Sequence, residues 1–166
     1  CTLQHVAAKG QQHWKERQLI ETLSRLGGVS RSITESHFNH QRSLGYRNRA
    51  LIPLKREPKG SIRLGYYKRG SHRIINLNHC PVLDPRLDAL IEPLKLDLDR
   101  AGWSADHDLR DDQGLRHLGL RVGHHSGDLL ITLVSSHDRL KNLQTWATRW
   151  MDRWPNLRGV TLNLQP

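Results

Sequence analysis

The sequence predicts an α+β fold: a single domain with a mainly antiparallel sheet and three principal helices. Three observations carry that expectation. Apolar and basic residues alternate at a period near two from Gly45 to Pro81; the apolar period lengthens to about three and a half after Asp84 and again after Asp138; and the segments run helix, strands, helix, two strands, helix, strand. Alternation at two marks half-buried strands and a period near 3.6 marks amphipathic helices. Strands grouped in this way favour a sheet with helices set apart from it.

Taken in order, Gln11 to Leu26 is expected to be a helix, with Trp14, Ile20, Leu23 and Leu26 as its buried stripe and Gly27-Gly28 as its C-terminal stop. Val29 to Leu44 is polar and lacks a period, which suits a connector. Three strands follow, Arg47 to Lys55, Ser61 to Lys68 and His72 to Leu77, joined by turns at Pro58 to Gly60 and at Gly70. Pro53 lies inside the first of them and implies an edge strand or a bulge, because proline brings no N–H to the ladder. Asp84 is the expected N-cap of the next helix, with Pro85 at its first position, Leu87, Leu90, Ile91, Leu94 and Leu98 on one face, and Gly102 at its end. Pro93 is expected to kink or split it, at a cost of about 3 kcal/mol. Asp106 to Gly114 reads as a solvated loop, and Leu115 to Val122 and Asp128 to Ser135 as strands joined by a hairpin connection at Gly123 to Gly127. A last helix is expected over Asp138 to Trp154, with Leu140, Leu143, Ala147, Trp150, Met151 and Trp154 on its apolar side. Pro155 stops it, and Arg158 to Leu164 forms a final strand.

Charge narrows the partner. The 166 residues carry 26 Lys and Arg against 16 Asp and Glu, a formal net charge of +10, with Arg the commoner cation. Such an excess attracts phosphate backbones, and the planar fork of Arg grips phosphate in a bidentate way. The outward set of the strand region is Arg47, Arg49, Lys55, Arg63, Lys68, Arg69 and Arg73, with Tyr46, Tyr66 and Tyr67 among the charges. Cations interleaved with rings suit single-stranded or looped RNA, whose bases are free to stack. An anionic membrane surface ranks below RNA, since the sequence has no amphipathic helix with a basic face, no lipidation signal and no long apolar run. With no leader and only two cysteines, Cys1 and Cys80, the expected compartment is the cytoplasm.

The chemistry-bearing residues are sparse. Two lone thiols satisfy no metal's coordination shell, so free cysteines are the plain reading of Cys1 and Cys80. His124-His125 reads as a solvated turn, and the five tryptophans, Trp14, Trp103, Trp146, Trp150 and Trp154, as core. His117 follows an arginine on a strand, where a place on the basic surface and a structural role are equally open. Asp111-Asp112 lies in a loop with no apolar pocket to perturb it. There is no Gly-rich strand-to-helix turn, no phosphate-cradling loop and no nucleophile-and-base order. On residues alone the chain reads as a basic binding module.

Five segments nevertheless resemble, in order, the RNA uracil-5-methyltransferases that act on 23S ribosomal RNA and transfer RNA. They are Cys1-Thr2-Leu3-Gln4-His5, Gly45-Tyr46-Arg47-Asn48-Arg49-Ala50, Gly65-Tyr66-Tyr67-Lys68-Arg69-Gly70-Ser71, His79-Cys80-Pro81-Val82-Leu83, and Leu115-Arg116-His117-Leu118 with Arg121. The resemblance implies a central domain between an N-terminal OB-like domain and a C-terminal Rossmann-like domain that binds S-adenosylmethionine. It implies that Cys1 and Cys80 are the third and fourth thiolate ligands of a 4Fe-4S cluster, zinc being the weaker alternative. The first two ligands would lie upstream of Cys1, so this stretch of chain is expected to carry no intact cluster. In the family a cysteine attacks C6 of uracil and a carboxylate removes the C5 proton after methyl transfer. Both cysteines here match cluster positions, so no catalytic residue is assigned. The expected RNA contacts are Arg47, Arg49, Lys68, Arg69, Arg116 and His117, with Tyr67 stacking, and 23S ribosomal RNA is favoured over transfer RNA. A stand-alone RNA-binding or ribosome-associated module is the alternative, and a DNA-binding module, lacking a recognition-helix pattern, stands third.

Overall fold

The computed structural model describes residues 3–29, 43–107 and 114–165. The expected connector, Val29 to Leu44, and the acidic loop, Asp106 to Gly114, fall largely outside the described residues. The chain divides into two compact units, Cys1–Ser43 and Leu44–Pro166.

In the first unit, α1 spans Ala8–Gly27 and ends on Gly28, whose left-handed backbone (φ 62°) lets the N–H of Val29 reach back to the Leu23 carbonyl at 3.1 Å. The glycine stop is where the sequence puts it. The buried stripe is not: no residue of α1 is buried, Trp14 is 49% exposed and Leu26 85%.

The second unit is an α+β domain. Its six strands, β1 (Arg49–Arg56), β2 (Ile62–Tyr67), β3 (Ile74–Asn76), β4 (Leu115–Val122), β5 (Leu129–Ser135) and β6 (Leu157–Leu164), form one sheet in the order β3-β2-β1-β4-β5-β6. Every pairing is antiparallel except β5 with β6, which the helix α3 (Leu143–Arg153) separates in sequence. A parallel neighbour needs such a crossover, whereas the β1–β2 and β4–β5 connections can be tight turns. Gly60 (φ 93°) closes the first of these, with its N–H on the Glu57 carbonyl at 2.8 Å.

Pro53 corrects the expectation of an edge strand or bulge. β1 is central in the sheet and has no register shift; it hands over partners at the proline. Arg49 to Pro53 pair with β4 and Leu54 to Arg56 with β2, so the missing N–H falls where one ladder ends and the next begins.

α2 (Pro85–Ala101) starts as expected: the Asp84 carboxylate caps it by accepting from the Arg86 N–H at 3.0 Å, and Gly102 closes it in a left-handed conformation. Pro93 does not split it. Ala89, whose carbonyl Pro93 leaves without a helical donor, is exposed, and water can serve that oxygen. α3 begins later than expected because Asn142 has φ 58°, a conformation that ends right-handed helix and that asparagine tolerates. It stops at Trp154, held extended before Pro155.

The core lies on one side of the sheet. Ile52, Leu54, Leu64, Leu118, Leu120, Ile131 and Leu133 meet Leu87, Ile91, Leu94 and Leu98 of α2 and Trp150 of α3 in one apolar cluster. Trp103 stands edge-on to Trp150 with ring centroids 6.5 Å apart, while Trp146 and Trp154 pack on the margin. Met151, expected inside, is 43% exposed. The two helices are joined by Asp97, which is 1% exposed and accepts from Trp150 Nε1 at 3.0 Å and from the Arg153 guanidinium at 2.7 Å. Arg56 fastens the first hairpin to the end of α2, donating to the carbonyls of Leu98 at 2.9 Å and Trp103 at 2.7 Å.

Removing a buried carboxylate strands the donors aimed at it. Asp97→Ala is therefore expected to lower unfolding free energy by about 3 kcal/mol, read from the urea midpoint. Arg100, which approaches Asp97 at 3.5 Å but is 68% exposed, should change it by less than about 0.5 kcal/mol when replaced by alanine.

Candidate nucleic-acid interface

With both helices on one side, no helix of the second unit covers the opposite face of the sheet, which is exposed at Arg49, Leu51 and Arg121 and buried at Pro53 and Val134. Strand alternation sets its composition: Arg49, Leu51, Pro53 and Lys55 from β1, His117, Gly119 and Arg121 from β4, Arg63 from β2. An open groove of about 610 Å³ runs over it, walled by Arg49, Leu51, His117, Arg121, Thr132 and Asn163. Gly119 lies on its floor, where an added Cβ would stand 3.0 Å from the Thr132 Cβ and take up room in the groove.

Arg49 and Arg121 stand directly opposite each other across β1 and β4. Both are exposed, and neither has an ion-pair partner among the described residues. Like charges in register destabilise a sheet by a few tenths of a kcal/mol or more. Lys55 and Arg63 are also cross-strand partners, but each has its own carboxylate, Asp106 at 2.9 Å and Glu57 at 2.9 Å. The unneutralised pair is thus the feature that folding does not explain.

A bulge immediately precedes His117 on this face. Leu115 pairs with Ser135 and His117 with Val134, leaving Arg116 as the extra residue between them. The bulge keeps Leu115 in the core and buries Arg116 at 3% exposure, while His117 shares the open side with Gly119 and Arg121 by ordinary alternation. Burial, followed by the neighbouring His107 and Arg116, holds the His117 imidazole below its ordinary pKa of 6.5, so the ring is neutral near pH 7.

At the β2 end of the face, Tyr67 lies 5.2 Å from His107 and 6.0 Å from His72, ring centroid to centroid. Lys68 and Arg69 are exposed in the adjoining β2–β3 turn, where Gly70 (φ 69°) supplies the reversal. Arg47 is elsewhere. It bridges to Leu83 beside α2, and its guanidinium approaches the Tyr66 hydroxyl. Burial pushes the Tyr66 phenol up, nearby Cys80 adds to the rise, and Arg47 opposes both.

The structure therefore brings Arg49 and His117 together on the open face and gathers Tyr67, Lys68 and Arg69 at one end of it. Arg116 lies inside the bulge and Arg47 near the start of α2. Arg121 was legible as a site residue, since plain alternation along β4 gives it the parity of His117 and Gly119; what the sequence hides is the extra residue at Arg116, which puts Leu115 on the other side. His107 and His72 had no local signal, because their neighbourhood is assembled from separate segments.

Cys80 is half-buried and free, its backbone N–H donating to Asp88 Oδ1 at 2.7 Å, while His79 engages the other oxygen of Asp88. Cys1 lies outside the described residues. One thiolate cannot close an iron-sulfur or zinc shell. No group of three or more His, Cys, Asp or Glu suited to a metal occurs among the described residues. The described donor set does not fit a cluster, and no step is derived through one. No described helix is long and apolar enough to cross a membrane.

No protein-family model matches the chain. Similar along its whole length are two proteins named as uncharacterized RNA methyltransferases, from Parasynechococcus marenigrum at 59% identity and from Synechocystis at 42%. The chain spans 35% and 36% of their lengths. Among solved structures, the tRNA (uracil-54, C5)-methyltransferase of Pyrococcus abyssi, in complex with S-adenosyl-L-homocysteine, superposes on 88% of this chain and 34% of its own, with a TM-score of 0.65 at 24% identity. That likeness bears on the fold.

Because the folded state binds a proton at His117 less well than the unfolded chain, the neutral ring's contribution is complete above about pH 6.5. It is lost as pH falls through the lower folded value. Stability should decline as pH falls below about 6.5, and His117→Gln should make the decline shallower. Urea midpoints across that range check this; identical slopes for the two proteins would remove His117 as the cause.

Proposed function

We propose that this chain is the RNA-holding part of a longer S-adenosylmethionine-dependent methyltransferase that modifies C5 of uridine, with 23S ribosomal RNA the favoured substrate. The opposed and unneutralised Arg49 and Arg121 on an open sheet face are the observation that carries the reading. A polyanion lying across β1 and β4 would relieve their repulsion and release its own counterions. Leu51, 56% exposed between the charges, and neutral His117 offer apolar and aromatic surface to bases turned inward.

The relatives' names supply the methyl transfer, and the resemblance of the five segments supplies uracil C5. None of the described residues is given a catalytic role. The chain's part is to hold and orient RNA, with Lys68, Arg69 and Tyr67 extending the interface at the β2 end and Arg116 setting the position of His117 from within the bulge.

Arg49→Ala and Arg121→Ala should each weaken RNA binding and reduce the slope of log affinity against log salt by about one unit for each phosphate no longer neutralised. Arg100→Ala on the helix side should change neither quantity. Filter or fluorescence titrations at several salt concentrations decide it, and unchanged slopes in both groove variants would take the open face out of the interface. For the activity, the full-length protein should transfer labelled methyl groups from S-adenosylmethionine to 23S ribosomal RNA and yield 5-methyluridine; methylation at any other position would refute the uracil assignment.

A further inference from the structure

A second concavity, of about 460 Å³, lies at the β2 end of the open face, lined by Lys55, Arg63, His72, Arg73 and His107, with Glu57 also on its wall. Its size falls within the range of about 300–1,000 Å³ typical of small-ligand sites. Ile74, 3% exposed, contributes an apolar surface. Two rings line it, His72 from the β2–β3 turn and His107 from the segment before β4, and Tyr67 of β2 stands beside both, its ring centroid 6.0 Å and 5.2 Å from theirs.

Its charges are graded. Lys55 and Arg63 are held by Asp106 and Glu57, which fixes their ammonium and guanidinium groups in position. Arg73 has no ion-pair partner among the described residues and is exposed. A free cation beside a group of rings and an apolar surface matches the parts of one nucleotide: phosphate, base face, base edge. An acidic peptide would find the cation but leave the rings without a planar partner. The place is also in line with the groove. Lys55 follows Arg49 by six residues on the same face of β1, about 20 Å at the rise of an extended strand.

Building on the RNA-holding role above, we propose that this concavity is a pocket for one unstacked nucleotide of the bound RNA, its base against the Tyr67, His72 and His107 rings and its phosphate on Arg73. The groove would then hold the strand by its backbone while the pocket takes a single residue out of the stack, fixing where along the strand the protein stops. Stacking of a base on side-chain rings is tolerant of base identity, so the pocket sets register more than sequence.

The test uses the ring proton resonances of His72, His107 and Tyr67 in the protein, with uridine 5′-monophosphate and inorganic phosphate as separate probes. The nucleotide should move all three rings, phosphate should move them much less, and Arg73→Ala, at an exposed position that leaves the fold intact, should weaken nucleotide binding about fivefold or more. Arg100→Ala should have no effect. Rings unmoved by the nucleotide, or moved equally by phosphate, would overturn the pocket; if single-stranded RNA still bound with the salt dependence of Arg49 and Arg121, the open-face reading would survive that result. Failure of both RNA and nucleotide to bind would overturn the two together.

Discussion

The Asp97 carboxylate, buried between α2 and α3, is the interaction on which the rest of this structure depends. A charge at 1% exposure is tolerable because Trp150 and Arg153 both donate to it, and those donors come from a helix that follows two intervening strands. By joining the helices at one point it sets both against the same face of the sheet. Apolar packing on that face, from Ile52 to Leu133, is undirected; the hydrogen bonds to Asp97 give it an orientation. The opposite face remains open as a consequence, and every residue of the candidate interface is there because the helices are not.

Two irregularities shape that face. At Pro53 the central strand exchanges one partner for another, so the proline costs the sheet little. At Arg116 an inserted residue reverses the parity of the start of β4, which turns Leu115 into the core and buries an arginine while His117 stays outward. Without the bulge, Leu115 and His117 would share a side and one of them would be misplaced. A positive charge buried beneath His117 then helps keep the imidazole neutral, so the geometry of the strand and the electrostatics of the ring have a common origin.

The cations divide by their partners. Arg56, Arg86 and Arg153 serve the fold, capping carbonyls or holding Asp84 and Asp97. Lys55 and Arg63 are neutralised in place, which preserves their position while reducing their pull. Arg49, Arg121 and Arg73 are left to the solvent. A net charge of +10 therefore overstates how much of the basic character faces a polyanion, and the useful part is concentrated along one strand pair and one turn.

Local sequence was enough for the elements and much of their ends. Strand periods, the Asp84-Pro85 cap, Gly28, Gly102 and Pro155 act through neighbours a few residues away, and those effects survive whatever the rest of the chain does. Local sequence also marked the basic, tyrosine-rich region between Gly45 and Pro81, which supplies Arg49, Tyr67, Lys68 and Arg69 of the candidate interface. It could not tell that the stripe of α1 is exposed, that Pro53 sits at the centre of the sheet, or that Arg47 lies near the start of α2 while Arg121 faces Arg49. Those outcomes depend on which strand lies beside which and where one residue is inserted. Pairings and bulges are decided by contacts between segments tens of residues apart, about which a periodicity carries no information.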